Sequence, residues 1–173
     1  MELTTYEART PRATAGRALV VADWTVQPEE ITEALGAHNA RHGTHFALLV
    51  PASLHGVAWM GDPKASRPCA ERRLDELKSL TERSGIPIEM ARVGDPETVP
   101  AVRDALLDWP AEEILLFGWS RRIPIPRAFS LARRLERWTS LRVQWTPDGA
   151  AAELSVRNRA GSPRCVPAVH RAG

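Results

Sequence analysis

The sequence predicts an α/β protein of three layers, in which an open, mainly parallel and twisted sheet of five strands lies between helices. Short apolar runs rich in β-branched residues alternate along the chain with segments whose apolar residues recur at helical spacing. Glycine and proline separate these segments. Because strands that alternate with helices are joined by right-handed crossovers, we expect a parallel sheet that is covered on both faces.

Five apolar runs predict the strands. They span residues 17–23, 45–52, 87–93, 113–119 and 141–145. We expect the first two to be fully buried and the third to be more exposed. Pro147-Asp148-Gly149 is a turn signal, since proline presets φ and glycine allows a positive φ. The alternating pattern of residues 152–157 then predicts an extra antiparallel strand at the edge of the sheet.

Four apolar stripes predict four helices. Their members are Ile31, Ala34, Leu35 and His38; Ala70, Leu74, Leu77 and Thr81; Val99, Val102, Leu106 and Trp109; and Ala128, Leu131, Leu135 and Trp138. Asp95 is a candidate N-cap of the third helix and Pro96 its candidate first residue, although Pro100 places the regular part nearer Thr98. Gly and Pro residues predict an irregular loop over residues 53–68.

Length and composition indicate one globular domain. A chain of 173 residues with 43% hydrophobic and 25% charged residues is typical of a single folded unit. We expect a flexible lead at residues 1–16, the domain at 17–157 and a flexible tail at 158–173. The high arginine, alanine and proline content is typical of a GC-rich bacterial genome.

The same composition argues against several classes of protein. No apolar run is long enough to cross a membrane, and the first residues lack the apolar segment of a signal peptide. The only cysteines, Cys69 and Cys165, are too few for a four-ligand zinc site, and we expect them to be free thiols in a reducing cytoplasm.

Arginines are concentrated near the end of the predicted sheet. Residues 121–142 hold seven arginines and one acid, Glu136, which gives this segment a charge of +6. Guanidinium groups bind phosphate through paired hydrogen bonds, so Arg121 and Arg122, in the loop after the fourth strand, are candidates for an anion site. Arg133, Arg134 and Arg137 instead suit the solvated face of an amphipathic helix.

Nucleic acid is a second interpretation of this charge, and we do not expect it. Arginines beside Trp119 and Trp138 could contact phosphates and stack on bases. However, Trp138 falls on an apolar stripe and is expected in the core, and no nucleic-acid-binding motif is present.

Ligands of parallel α/β sheets bind beyond the carboxyl ends of the strands, where the strand order reverses. Asp23 closes the first strand, Gly94-Asp95-Pro96 follows the third, and Gly118 ends the fourth. Asp23 is equally suited to capping the turn that follows it, and Trp24 is large enough to fill a purine site.

At these residues the chain resembles the universal stress protein family, over roughly residues 17–145. Family members place an Asp where Asp23 stands. Gly94-Asp95-Pro96 looks like their GDP turn, and residues 111–118, AEEILLFG, are similar to their fourth strand, A-D-L-I-V-M-G. The resemblance implies a Rossmann-like strand order of 3-2-1-4-5 and a role in the stress response. It also implies an adenine nucleotide at Asp23, Gly94 and Gly118, and homodimers that pair their fifth strands.

The ATP-binding signature of that family, G-x2-G-x9-G-[ST], is incomplete in this chain. Gly118 matches its first glycine, but Arg121 and Leu131 stand at the other two and Ala132 replaces the hydroxyl residue. Side chains at those positions obstruct the approach of a phosphate to backbone N–H groups. The resemblance therefore favours a member that does not bind ATP in the usual manner.

Other chemistry is weakly indicated. His38, His42 and His45 have a spacing that could place a metal pair on one helix face, but Gly43 ends that helix and no further ligand is near. Ser53 and His55 are near the expected crevice, without a third partner, and no catalytic motif is present.

The sequence thus favours a cytoplasmic, non-catalytic regulatory or scaffold domain that forms a homodimer and needs no cofactor. The alternative is a crevice between Asp23 and Gly118 that binds ATP, another adenine nucleotide or a different small anion, with Arg121 and Arg122 as side-chain donors.

Overall fold

The computed structural model describes residues 16–23, 26–53, 66–118 and 125–146. Nine elements alternate along this part of the chain. In order they are β1 (Arg17–Ala22), α1 (Pro28–His42), β2 (His45–Pro51), α2 (Ser66–Arg83), β3 (Ile88–Gly94), α3 (Thr98–Asp108), β4 (Glu113–Phe117), α4 (Ile125–Thr139) and β5 (Arg142–Thr146).

The five strands form one sheet in the order β3-β2-β1-β4-β5, and every neighbouring pair is parallel. β1 is central, with Leu19 opposite Ala47 of β2 on one side and opposite Ile114 of β4 on the other. The predicted fold class and strand order are confirmed. The predicted antiparallel strand at 152–157 lies outside the described residues.

Alternate residues of the central strands supply two separate cores. Ala18, Val20 and Leu48 pack with apolar residues of α1 and α2, while Leu19, Val21 and Leu49 pack with those of α3 and α4. Because the sheet is covered on both faces, residues 18–22 of β1 are all buried. The third strand is only partly buried, as its position at the edge of the sheet requires.

Two helix starts differ from the sequence-based boundaries. α2 begins at Ser66, inside the predicted loop. Pro68 is its third residue, where the missing N–H costs nothing because first-turn N–H groups have no partner within the helix. α3 begins at Thr98, as Pro100 indicated, but the N-cap position is held by Glu97. The carboxylate of Asp95 instead accepts the Glu97 N–H at 2.8 Å, which shapes the turn before the helix.

Trp138 is not a core residue. It is 50% exposed, and the sequence-based assignment is wrong. The sheet-facing side of α4 passes through Ala132 and Leu135, both buried, and then through the half-buried Thr139. This side advances by three residues from Ala132 to Leu135 and by four from Leu135 to Thr139. Trp138, which is only three residues after Leu135, therefore falls beside the buried stripe.

Cys69 also differs from expectation. It lies in the first turn of α2 and is disulfide-bonded, so it is not a free thiol. Cys165, the other cysteine of the sequence, lies beyond the described ranges. No described helix has the length and apolar character needed to span a membrane.

Candidate functional site

The carboxyl ends of β1 and β4 meet at the point where the strand order reverses. β1 continues through α1 to β2 on one side, whereas the chain reaches β4 from β3 on the other. The N–H of Asp23 donates to the Phe117 carbonyl at 2.9 Å, and Gly118 follows Phe117 directly. Asp23 is 4% exposed. Asp23 and Gly118 are therefore neighbours at the carboxyl ends of the central strands, where ligands of parallel α/β sheets commonly bind.

Gly118 is held by the last strand. Its N–H donates to the Thr146 carbonyl at 3.2 Å, and its carbonyl accepts the indole N–H of Trp145 at 2.9 Å. Its φ of 109° lies in the region that favours glycine. β5 thus satisfies both backbone groups of the first glycine in the nucleotide motif. The sequence assigned Trp145 only to a strand end, although a half-buried indole N–H needs an acceptor nearby.

Gly94 lies at the end of β3. In the sheet, β2 separates β3 from β1, the strand that Asp23 follows. A Cβ at this position would lie 2.7 Å from the Ala101 Cβ and 2.8 Å from the Leu49 Cδ1. Its carbonyl accepts the Ala52 N–H at 3.2 Å. The close approach of α3 to the sheet therefore requires a glycine here, whether or not a ligand is bound.

Arg73 is a residue of this region that the sequence did not single out. Its side chain extends from α2 and donates to the Val26 carbonyl, in the segment between β1 and α1. A second guanidinium nitrogen lies 3.5 Å from a carboxylate oxygen of Glu76. Only 14% of the side chain is exposed. Nothing in the sequence distinguishes Arg73 from the exposed Arg72 beside it.

Burial and the neighbouring acidic side chains change the pKa of Arg73 in opposite directions. Desolvation lowers the pKa of its guanidinium from the ordinary value, and the negative charges of Glu76, Glu29 and Asp23 oppose that change. A guanidinium remains protonated at physiological pH even so. The edge of the sheet therefore carries a largely buried cation within electrostatic reach of Asp23.

Arg121 and Arg122 lie outside the described residues, as does His55, so their predicted roles stay predictions. Of the five residues proposed to bind a cofactor, the structure brings Asp23 and Gly118 together. It places Gly94 two strands from Asp23, at the same edge of the sheet.

His38 and His45 lie near the amino ends of the strands, at the opposite end of the sheet from Asp23 and Gly118. His38 Nε2 is 2.8 Å from Glu113 Oε1, and His45 Nδ1 is 2.7 Å from Glu89 Oε1. The carboxylate of Glu113 also accepts the Gln144 side-chain N–H at 3.0 Å. These imidazoles therefore link α1 and β2 to neighbouring strands, and no group of three metal-ligating side chains exists in the described part of the chain.

Glu89 connects several side chains at this end of the sheet. A bulge between Phe46 and Ala47 shifts the register of β2 against β3 beside it. In addition to its contact with His45, the Glu89 carboxylate accepts the indole N–H of Trp109 at 3.0 Å. That hydrogen bond is the main cause that lowers the pKa of the Glu89 carboxyl, with smaller contributions from His45 and Arg17, while desolvation opposes them. Glu89 is thus held in its ionised form.

Comparisons with solved structures find the same architecture. A protein of the universal stress protein family from Burkholderia pseudomallei superposes with a TM-score of 0.55 and 19% identity, over 76% of this chain and 96% of that one. A universal stress protein in complex with cAMP gives a TM-score of 0.50 and 15% identity, over 77% and 98% of the two chains. No family model and no curated protein matches the sequence. The chain has the fold of the universal stress proteins, and likeness at this identity establishes the fold alone.

Proposed function

We propose that this chain is a regulatory or scaffold protein of the universal stress protein type, which acts without catalysis and does not bind ATP in the usual manner of that fold. The observation that supports the proposal is the engagement of Gly118 by β5. A phosphate binds at such a corner through free backbone N–H groups. The Gly118 N–H already donates to Thr146, so it has no proton to offer a phosphate.

The helix that follows supports the same conclusion. Ala132 stands where the nucleotide motif has a hydroxyl residue, and it is buried in the core between α4 and the sheet. Leu131, at the position of the last glycine, is half-buried and packs against the same core. These two positions contribute to packing and carry no donor for a phosphate.

A second candidate function has an observation in its favour. The guanidinium of Arg73 reaches the segment after β1, near the charge of Asp23, and supplies a cation at the edge where ligands of this fold bind. One solved neighbour was crystallised with cAMP. A nucleotide or another small anion could therefore bind between Asp23 and Gly118 through side chains, with Arg121 and Arg122 as further donors.

Thermal unfolding with ATP, ADP, cAMP or pyrophosphate separates the two candidates. A ligand that binds only the folded protein stabilises it by about 2.7 kcal/mol at a hundred times its Kd. We expect no change in Tm with any of the four at millimolar concentration, and no release of phosphate from ATP. A rise in Tm that Asp23→Asn or Arg73→Met abolishes would establish the second candidate in place of the first. Turnover of ATP would refute the non-catalytic role.

The compartment and the assembly are part of the proposal. We propose a cytoplasmic homodimer with a role in the stress response. The bonded state of Cys69 opposes this location, because disulfides are rare in reducing compartments. Thiol trapping of the protein in freshly lysed cells tests the location, because a bonded Cys69 would contradict a reducing compartment and a reduced Cys69 would support one. Light scattering should give twice the mass of the chain, and a monomeric mass would exclude the dimer.

A further inference from the structure

A groove of about 310 Å³ lies between α3 and α4, on the face of the sheet opposite to α1 and α2. Of the residues that the structure describes, Val99, Arg134, Arg137 and Trp138 line it. None of them belongs to the crevice at Asp23 and Gly118. The volume is at the lower end of the range of small-molecule sites, roughly 300–1,000 Å³.

Within the described ranges, the two arginines of the groove have no acidic partner. Neither Arg134 nor Arg137 forms an ion pair with an Asp or Glu of the described residues, whereas Arg92 pairs with Asp108 and Arg103 with Asp104. They lie three residues apart on α4 and so project from neighbouring positions of one helix face. Two guanidinium groups at this spacing can share one carboxylate or phosphate.

Trp138 supplies the apolar part of the groove. Half of its surface is exposed, and it stands four residues after Arg134 on the same face of α4. Val99, half-buried at the start of α3, faces it across the groove. An exposed indole presents a flat surface for a ring, because offset stacking is favourable between aromatic groups.

We propose that this groove binds a small aromatic anion, whose ring stacks on the indole of Trp138 and whose carboxylate or phosphate binds Arg134 and Arg137. A single ring system suits the groove better than a polymer. Among the residues whose burial the structure describes, Trp138 is the only Trp, Tyr or Phe with a large exposed surface. Asp95 and Glu97, exposed in the turn before Val99, would repel a polyanion that extended past that end.

Three probes test separately whether binding requires a negative charge and whether it requires an aromatic ring. 2-Naphthoate carries both a ring and a charge, naphthalen-2-ylmethanol lacks the charge, and cyclohexanecarboxylate lacks the aromatic ring. We expect calorimetry to detect 2-naphthoate alone, and phenyl phosphate to compete with it if the site accepts either anion. No binding of 2-naphthoate or phenyl phosphate, or equal binding of the uncharged alcohol, would overturn the proposal.

Surface variants locate the binding without disturbing the fold. Trp138→Ala should weaken 2-naphthoate binding about tenfold, Trp138→Phe should weaken it less, and the double change Arg134→Gln with Arg137→Gln should abolish it. Arg142→Gln removes an equal exposed charge from β5 and should leave binding unchanged. Binding that survives the groove changes but is lost in Asp23→Asn would assign the probe to the crevice and refute the groove.

Two further measurements exclude larger occupants. A fluorescent single-stranded oligonucleotide should bind no more tightly than phenyl phosphate, and the mass by light scattering should be the same for Trp138→Ala and the parent. Tight, salt-sensitive oligonucleotide binding that requires Trp138 would refute the small-anion assignment in favour of nucleic acid. A fall in mass would refute it in favour of a second copy of the chain.

Discussion

At the scale of single residues, the end of β3 leaves no room for a side chain at Gly94. An added Cβ would meet Ala101 at 2.7 Å and Leu49 at 2.8 Å, and both neighbours are buried. We expect Gly94→Ala to lower the free energy of unfolding by about 1–3 kcal/mol, because overpacking forces α3 away from the sheet. Urea denaturation of parent and variant measures the difference.

Gly36 provides the matched control for that change. It lies inside α1, and an added Cβ there meets nothing within 4 Å. Gly36→Ala should therefore stabilise the protein by about 0.5–1 kcal/mol, since alanine loses less backbone entropy in a helix. If both substitutions destabilised the protein equally, the steric account of Gly94 would be wrong.

Glu89 makes stability depend on pH. The Trp109 hydrogen bond, with His45 and Arg17, holds its pKa below the ordinary value of 4.5 in the folded protein. The ionised form is therefore favoured by folding. Its contribution is fully present above pH 4.5 and is lost as the pH falls through the lowered pKa of the folded state.

Glu89→Gln should accordingly destabilise the protein at pH 7 and have a smaller effect at about pH 3.5, below the ordinary value of 4.5, where the contribution of the ionised form is declining. Urea denaturation at both values measures the two differences. Glu33→Gln, an exposed change on α1, is the control and should show little effect at either pH. An effect of Glu89→Gln that is the same at both pH values would contradict the charge-based account.

Some of the site was predictable from single residues and some was not. The positions of Asp23 and Gly118 at strand ends could be predicted, because each follows an apolar run that stops at an acid or a glycine. Arg73 was not, because its partner, the Val26 carbonyl, is 47 residues away in the sequence. Trp138 was misplaced because helical spacing alone allows either the i+3 or the i+4 residue after Leu135 to face the core.

At the scale of elements, the interiors of the helices and strands were predictable from the sequence, whereas their exact ends were not. All five strands and four helices within the described ranges were predicted, since a β-branched run or a 3.6-residue stripe extends over several residues and tolerates errors. Ends depend on one or two residues. Pro68 indicated a loop in sequence and lies in the first turn of α2, where proline is equally acceptable.

Besides the packing of its apolar residues, α2 is hydrogen-bonded through Arg73 to the segment between β1 and α1. The Arg73 guanidinium donates to the Val26 carbonyl and is mostly buried, so its removal leaves that carbonyl without this donor. We expect Arg73→Met to lower the free energy of unfolding by about 1.5–3 kcal/mol, the range for hydrogen bonds to charged groups. Hydrogen exchange should also become faster at the start of α1.

Arg83→Met on the same helix is the control for this prediction, because Arg83 is exposed in the last turn. It should change stability by less than about 0.5 kcal/mol. Arg73→Lys should restore only part of the loss, since an ammonium lacks the planar geometry of the guanidinium. Equal effects of the changes at Arg73 and Arg83 would show that the link to Val26 contributes nothing.

At the scale of the whole molecule, the described structure is a complete three-layer unit before residue 147. Both cores, all five strands and the edge that carries Asp23 and Gly118 lie within it. This architecture was predictable because alternation of strands and helices leaves few topologies once crossovers are right-handed. The hydrogen bonds of Gly118 were not, because its contacts with Thr146 and Trp145 arise only when β5 is in place.

A chain that ends at residue 157 should therefore fold as the parent does. With a reducing agent present in both samples, so that Cys69 is compared as a thiol, we expect cooperative urea unfolding within about 1 kcal/mol of the parent. A chain that ends at residue 140 is the control. It removes β5 and the half-buried Val143 and Trp145, which pack against the core beside β4, so it should lose the cooperative transition. If the longer chain lost its transition as well, the tail at 158–173 would be part of the fold, and the assignment of the domain to residues 17–157 would be wrong.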